Sequence, residues 1–176
     1  MVNDADVKSS IQKTPIKYLD ILPSHIDLVG AEVEMVNIDN RESKMKTALA
    51  EIKDKYDYII IDCSPSLGLI TVNSLTASDS VIVPVQCEYF ALEGLSALLN
   101  TIRRINETVN RDLEIEGILR TMYDPRSSLT NAVSAQLRKY FDDKLYRVSI
   151  PRNVRLAEAP SHGKPVLAYD KNSKGA

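Results

Sequence analysis

With 176 residues, 44% of them hydrophobic, and 24 acidic against 22 basic side chains, the chain has enough apolar material for one sizeable core and a formal charge of only −2. That balance excludes a disordered polyelectrolyte and gives no support to a globally basic nucleic-acid binder, although a local basic patch stays open. Cys63 and Cys87 are too few for a disulfide framework, no CxxC occurs, no apolar run approaches a membrane span, and the start carries no secretory segment, which together point to a reduced, cytosolic setting.

In chain order, Tyr18 to Leu22 reads as a short strand closed by Pro23. Leu28 to Val36 has helical spacing. Arg41 to Lys55 predicts an amphipathic helix, with Met45, Ala48, Leu49 and Ile52 on one face. Its other face offers Glu42 with Lys46 and Glu51 with Lys55 in the favourable i,i+4 order. Tyr58 to Ile61 is a continuous apolar run ending at Asp62, the pattern of a strand buried on both faces. A short helix follows over Leu67 to Leu75, then a buried strand over Ser80 to Val85 with Pro84 near its end. Leu92, Leu95, Leu98, Leu99, Ile102, Ile105 and Val109 form the stripe of a long helix. Ile115 to Met122 is the next strand, Leu129 to Phe141 a helix, and Tyr146 to Ile150 a last strand. Strands alternating with helices predict an α/β fold with a parallel, doubly wound sheet, and no linker divides the chain, so residues 1–176 read as a single domain.

The chemistry centres on Asp62. A carboxylate at the C-terminal end of a buried strand sits where open α/β sheets place their ligands. This is the form of a Walker B element, whose Asp holds Mg²⁺ beside a nucleotide phosphate. His25 and His162 are far apart with no ligand cluster around either, and read as structural or surface residues. Cys63 and Cys87 read as small buried fillers. A phospho-receiver domain also ends a strand in Asp, but Asp62 and the Lys164-Pro165 pair are too widely separated for it, and the acidic pair expected near its start is missing.

Three segments carry a resemblance. They are Tyr56-Asp57-Tyr58-Ile59-Ile60-Ile61-Asp62, Pro84 to Gly94 (PVQCEYFALEG), and Ile150 to Pro165 (IPRNVRLAEAPSHGKP). Together they resemble the ParA/Soj family of chromosome- and plasmid-partitioning ATPases, from about His25 to the last residue. The resemblance implies the P-loop NTPase fold of the deviant Walker A type, ATP and Mg²⁺ as cofactors, and an ATP-bound homodimer. It also implies non-specific DNA as a partner, a ParB/Spo0J-type protein as regulator, and a cytoplasmic, nucleoid-associated setting without a membrane. Members open with a KGGxGKT[ST] loop, whereas the six glycines here are scattered and no Gly-Lys-Thr or Gly-Lys-Ser occurs. The chain ends at Ser173-Lys174-Gly175-Ala176, where the family continues into a final helix. The resemblance therefore implies an incomplete domain, lacking the P-loop and the last helix, with Met1 inside the complete protein.

The resemblance also assigns roles. Asp62 is the catalytic Walker B carboxylate, acting on Mg²⁺ through a water. Met122, Pro151 and Arg152 line the adenine and ribose side of the pocket. Arg126 and Arg155 lie in loops that contact DNA, while Lys139, Lys144, Arg147 and Lys164 read as a solvated charged face. Glu88 and Glu93 flank Tyr89 and Phe90 at the entry to the long helix, where Glu93 places negative charge in the first turn, a structural role. Ser64 departs from the family's Pro after the Walker B Asp. Arg120 falls in a strand where an apolar residue is expected, which predicts an edge position or an acidic partner. Two other readings stay open: a non-enzymatic remnant that keeps a partner or DNA surface, and a MinD-like membrane ATPase, which needs a C-terminal amphipathic helix.

Overall fold

The computed structural model describes residues 6–64, 66 and 68–176. Leu67, the first residue of one expected helix, lies outside them. The chain forms two compact units. One comprises residues up to 79 together with 100–113, and the other comprises 80–99 together with 114–176.

In the first unit, α1 (Val7–Ser10) starts on Asp6, whose carboxylate accepts from the Lys8 N–H at 2.9 Å. Gln12–Lys13 (β1) pairs antiparallel with Asp20–Ile21 (β2), so the expected strand after Tyr18 is present but short. Lys13 Nζ and the Tyr56 hydroxyl both bond Asp20 Oδ2, at 2.7 and 2.8 Å. Leu28–Glu34 (α2) continues into a 3-10 turn at Met35–Asn37. The expected Arg41–Lys55 helix is broken into a 3-10 turn (Arg41–Ser43), α3 (Lys44–Ala50) and a second 3-10 turn (Lys53–Lys55). Its inward face is as predicted, with Ile52 buried. Its salt pairs are not: Glu42 bonds Arg41, and Glu51 pairs with Lys8. Leu69–Ala77 (α4) is anchored by buried Asn73, which accepts from the Met45 N–H and donates to the carbonyls of Arg41 and Leu69.

The run from Tyr58 to Asp62 corrects an expectation. It belongs to no ladder, and Tyr58 and Ile60 are 86% and 92% exposed. A strand is stable only when a neighbour satisfies its N–H and C=O groups, and no described segment pairs with this one. Cys63, on the same stretch, is exposed, whereas Cys87 is the buried filler expected, its thiol pKa pushed up by burial.

The second unit holds a three-stranded parallel sheet in the order β3 (Ser80–Gln86), β4 (Glu114–Tyr123), β5 (Leu145–Pro151). Its connections carry α5 (Ala91–Thr108) and α6 (Ser128–Phe141). Ser127 caps α6 through its hydroxyl. Glu93 lies in the first turn of α5, as expected. The core gathers Val83, Val85, Cys87, Leu95, Ile118, Val133 and Leu137, so β3, β4, α6 and the start of α5 share one apolar interior.

Arg120 overturns the expectation of an edge or an acidic partner. It sits on the central strand and is 6% exposed. Its guanidinium donates to Ser134 Oγ at 2.9 Å and to the carbonyls of Tyr146 and Arg147 at 3.1 and 3.2 Å, all neutral acceptors. The β4–β5 register shifts on either side of Arg120, so the side chain takes up carbonyls near an irregular stretch of ladder. Its Nε is buried with no acceptor among the described residues.

Candidate functional site

Asp62 lies in the first unit, exposed, and makes no hydrogen bond or ion pair with the described residues. Among the described residues no three His, Cys, Asp or Glu side chains gather as a metal cluster. For a nucleotide with Mg²⁺ the chain supplies this one carboxylate. It has no Gly-rich loop of converging N–H groups and no loop lysine to offset phosphate charge. The donor set of this chain does not by itself fit a triphosphate.

The second unit brings five of the predicted residues to the C-terminal ends of β4 and β5. Tyr123 is in register with Pro151, and the Arg152 N–H donates to the Tyr123 carbonyl at 3.2 Å. Met122, next to Tyr123, has φ +51°, a left-handed conformation that a long side chain adopts at a cost. Met122 and Arg152 are exposed and Pro151 half-buried. Met122, Pro151 and Arg152 thus share one rim, the end of a parallel sheet where ligands bind.

Arg126 follows on the turn leaving β4, its side chain 88% exposed. Its Nε and Nη2 each donate to a different oxygen of Asp124, both at 2.9 Å, while its backbone N–H donates to Asp124 Oδ1 at 3.1 Å. These bonds from Arg126 hold the Asp124 carboxyl down to about 2, with a smaller contribution from the Arg152 charge. Arg155 is not in a loop: it occupies the first turn of α7 (Val154–Glu158), which forms because Asn153 caps it by accepting from the Arg155 N–H at 2.8 Å. Its guanidinium, 51% exposed, bonds Glu158 Oε2 at 2.8 Å and lies 3.4 Å from Asp170 Oδ2. Tyr169, in α8 (Val166–Tyr169), donates its hydroxyl to the same Glu158 oxygen and stacks on His162. The pairing of these arginines with the carboxylates at 124, 158 and 170 escaped the sequence reading. The Asp-Pro-Arg order at 124–126 is the signal for the first, since Asp accepts from the backbone two residues on.

Tyr89 and Phe90 meet edge to face ahead of α5, both largely exposed, with Glu88 exposed beside them. Lys144, Arg147 and Lys164 are exposed, and Lys139 lies over the Tyr140 ring. His25 pairs with Asp27 on the surface. No helix among the described residues is long and apolar enough to cross a membrane.

A family model described as an AAA domain matches residues 1–115. The sporulation initiation inhibitor protein Soj of Bacillus subtilis is 57% identical over all 176 residues, which span 70% of that relative. The chromosome-partitioning ATPase Soj of Treponema pallidum is 49% identical with the same coverage of both chains. Among solved structures, cobyrinic acid a,c-diamide synthase from Mycobacterium smegmatis with bound ATP analog and magnesium is 33% identical. It matches 92% of this chain and 70% of its own, with a TM-score of 0.79. The chain therefore belongs to the Soj/ParA family of chromosome-partitioning proteins and carries the parallel α/β fold of P-loop NTPases.

Proposed function

We propose that the chain is part of a chromosome- or plasmid-partitioning ATPase that binds DNA without sequence preference as an ATP-bound homodimer. A ParB/Spo0J-type partner releases it by stimulating hydrolysis, and its place is the cytoplasm, on the nucleoid. Residues 1–176 act as one incomplete domain of that enzyme. Support comes from the level of identity to Soj proteins and from two exposed arginines beside the rim formed by Met122, Pro151 and Arg152. Arginine grips phosphates wherever they occur, and so confers affinity without reading bases. Asp62 serves Mg²⁺ in the complete enzyme, and Met122, Pro151 and Arg152 the adenosine. By itself the chain is catalytically silent, because phosphoryl transfer rests on positioning and charge neutralisation that the absent glycine loop supplies.

The test uses a version spanning the full length of its relatives, loaded with ATP and Mg²⁺, and duplexes of unrelated sequence. Arg126→Ala and Arg155→Ala each weaken binding to every duplex alike and flatten the log–log salt dependence by about 0.9 per lost phosphate contact. Unchanged affinity, or a loss confined to one sequence, refutes the assignment.

A further inference from the structure

Both arginines assigned to DNA are already engaged, and by the same chemistry. Arg126 makes a forked pair with Asp124, two 2.9 Å bonds to two oxygens, the geometry with which a guanidinium also grips a phosphate. Arg155 is held by Glu158 at 2.8 Å, with Asp170 at 3.4 Å on its other side. All of these groups lie on the segments that follow β4 and β5. The backbone fixes the first carboxylate, because Asp124 also accepts the Arg126 N–H. A tyrosine steadies the second, because Tyr169 donates to the Glu158 oxygen that Arg155 uses.

We infer that Asp124 and Glu158 are intramolecular stand-ins for DNA phosphate, masking Arg126 and Arg155 so that DNA must displace a carboxylate to bind. The inference rests on the DNA reading above and specifies what limits affinity at that surface. A masked arginine presents little net charge to an approaching backbone, which weakens both steering and grip. Because the pairs are exposed, water and phosphate reach them, and exchange of one anion for another requires no unfolding. A carboxylate partner of this kind limits rather than abolishes binding, since exposed ion pairs are weak.

Asp124→Asn is the discriminating change, because the amide oxygen keeps the bond from the Arg126 N–H while the charge is lost. In the full-length version with ATP and Mg²⁺, measured by fluorescence anisotropy on duplexes of random sequence, Asp124→Asn tightens binding about two- to five-fold. It also steepens the salt slope by close to one phosphate contact, about 0.9. In an Arg126→Ala background the same substitution changes nothing. Glu158→Gln repeats the pattern against Arg155 and keeps the question answerable if one variant folds poorly. An equal gain in the Arg126→Ala background means a general field effect and overturns the mask, as does a loss of affinity in Asp124→Asn, which means orientation instead. If Arg126→Ala and Arg155→Ala leave wild-type binding untouched, the DNA reading fails and the mask with it.

Discussion

Arg120 tests how this sheet tolerates a buried charge. Its guanidinium is 6% exposed, holds three neutral oxygens at 2.9 to 3.2 Å, leaves Nε without an acceptor, and has no ion-pair partner among the described residues. Arg120→Lys keeps the charge but replaces a planar fork by a single ammonium. The ammonium has three N–H groups but they radiate from one point, whereas Nη1 serves Ser134 and Nη2 the two β5 carbonyls; losing one of these charge-assisted bonds while still burying the cation costs about 3 kcal/mol. Arg120→Met strands the same acceptors, but the Ser134 hydroxyl can turn to its own helix. Removing an unpaired buried charge offsets the rest, which leaves a net change within about 1 kcal/mol. At about 2–4 °C per kcal/mol for a chain of this size, far-ultraviolet melting should show a drop of about 6–12 °C for lysine and about 4 °C or less for methionine. Should lysine be tolerated as well as methionine, or methionine prove the worse, the buried charge is not the liability argued here.

Three further outcomes follow from the structure. Asp124 is held near 2 when folded against an ordinary 3.8, first by its side-chain bonds from Arg126. It therefore contributes stability that is fully present above about pH 4 and fades as pH falls towards 2; urea midpoints at pH 5 and pH 3 should fall further for wild type than for Asp124→Asn. Asp62→Ala leaves stability within about 0.5 kcal/mol, because the side chain is exposed and touches no described partner. In the full-length version it abolishes Mg²⁺-dependent ATP hydrolysis, and normal turnover would remove Asp62 from the site. The chain as given shows no tight ATP binding by calorimetry and self-associates by light scattering, through the apolar run at Tyr58 to Ile61. A monodisperse monomer with micromolar ATP affinity would refute both halves.

Much of the second unit was legible because each element there satisfies its own pattern. The alternating strands at 80–86, 114–123 and 145–151 and the helices between them fall within a residue or two of their expected limits. Where pattern failed, the deciding term was not local. Arg41 to Lys55 has a helix's apolar face, yet the helix breaks at both ends into 3-10 turns. β1 and β2 are too short to show periodicity and are held partly by the Lys13–Asp20–Tyr56 cluster. Arg120 reads as a misfit in any apolar strand, and only the register shift beside it shows which carbonyls it serves. At the rim, resemblance singled out Arg126 and Arg155, whereas their pairing with carboxylates depends on a two-residue turn and on Asp170, fifteen residues from Arg155.

The two halves of the chemistry differ in what they need from their surroundings. The rim at β4 and β5 is assembled from within its own unit. Parallel pairing fixes Tyr123 opposite Pro151, the Arg152 N–H ties the strand ends, and local caps set the turns that carry Arg126 and Arg155. Asp62 has no such frame. A carboxylate becomes a metal ligand of defined direction only when its strand is fixed, and Tyr58 to Ile61 has apolar side chains and backbone groups with no described partner. Supplying a neighbouring strand would cover Tyr58 and Ile60 and fix the direction of Asp62 in one step, so the Mg²⁺ role proposed for Asp62 depends on that pairing. The DNA contact proposed above would, by contrast, draw on a surface already formed, with Asp124 and Glu158 as the competitors that DNA phosphate must displace.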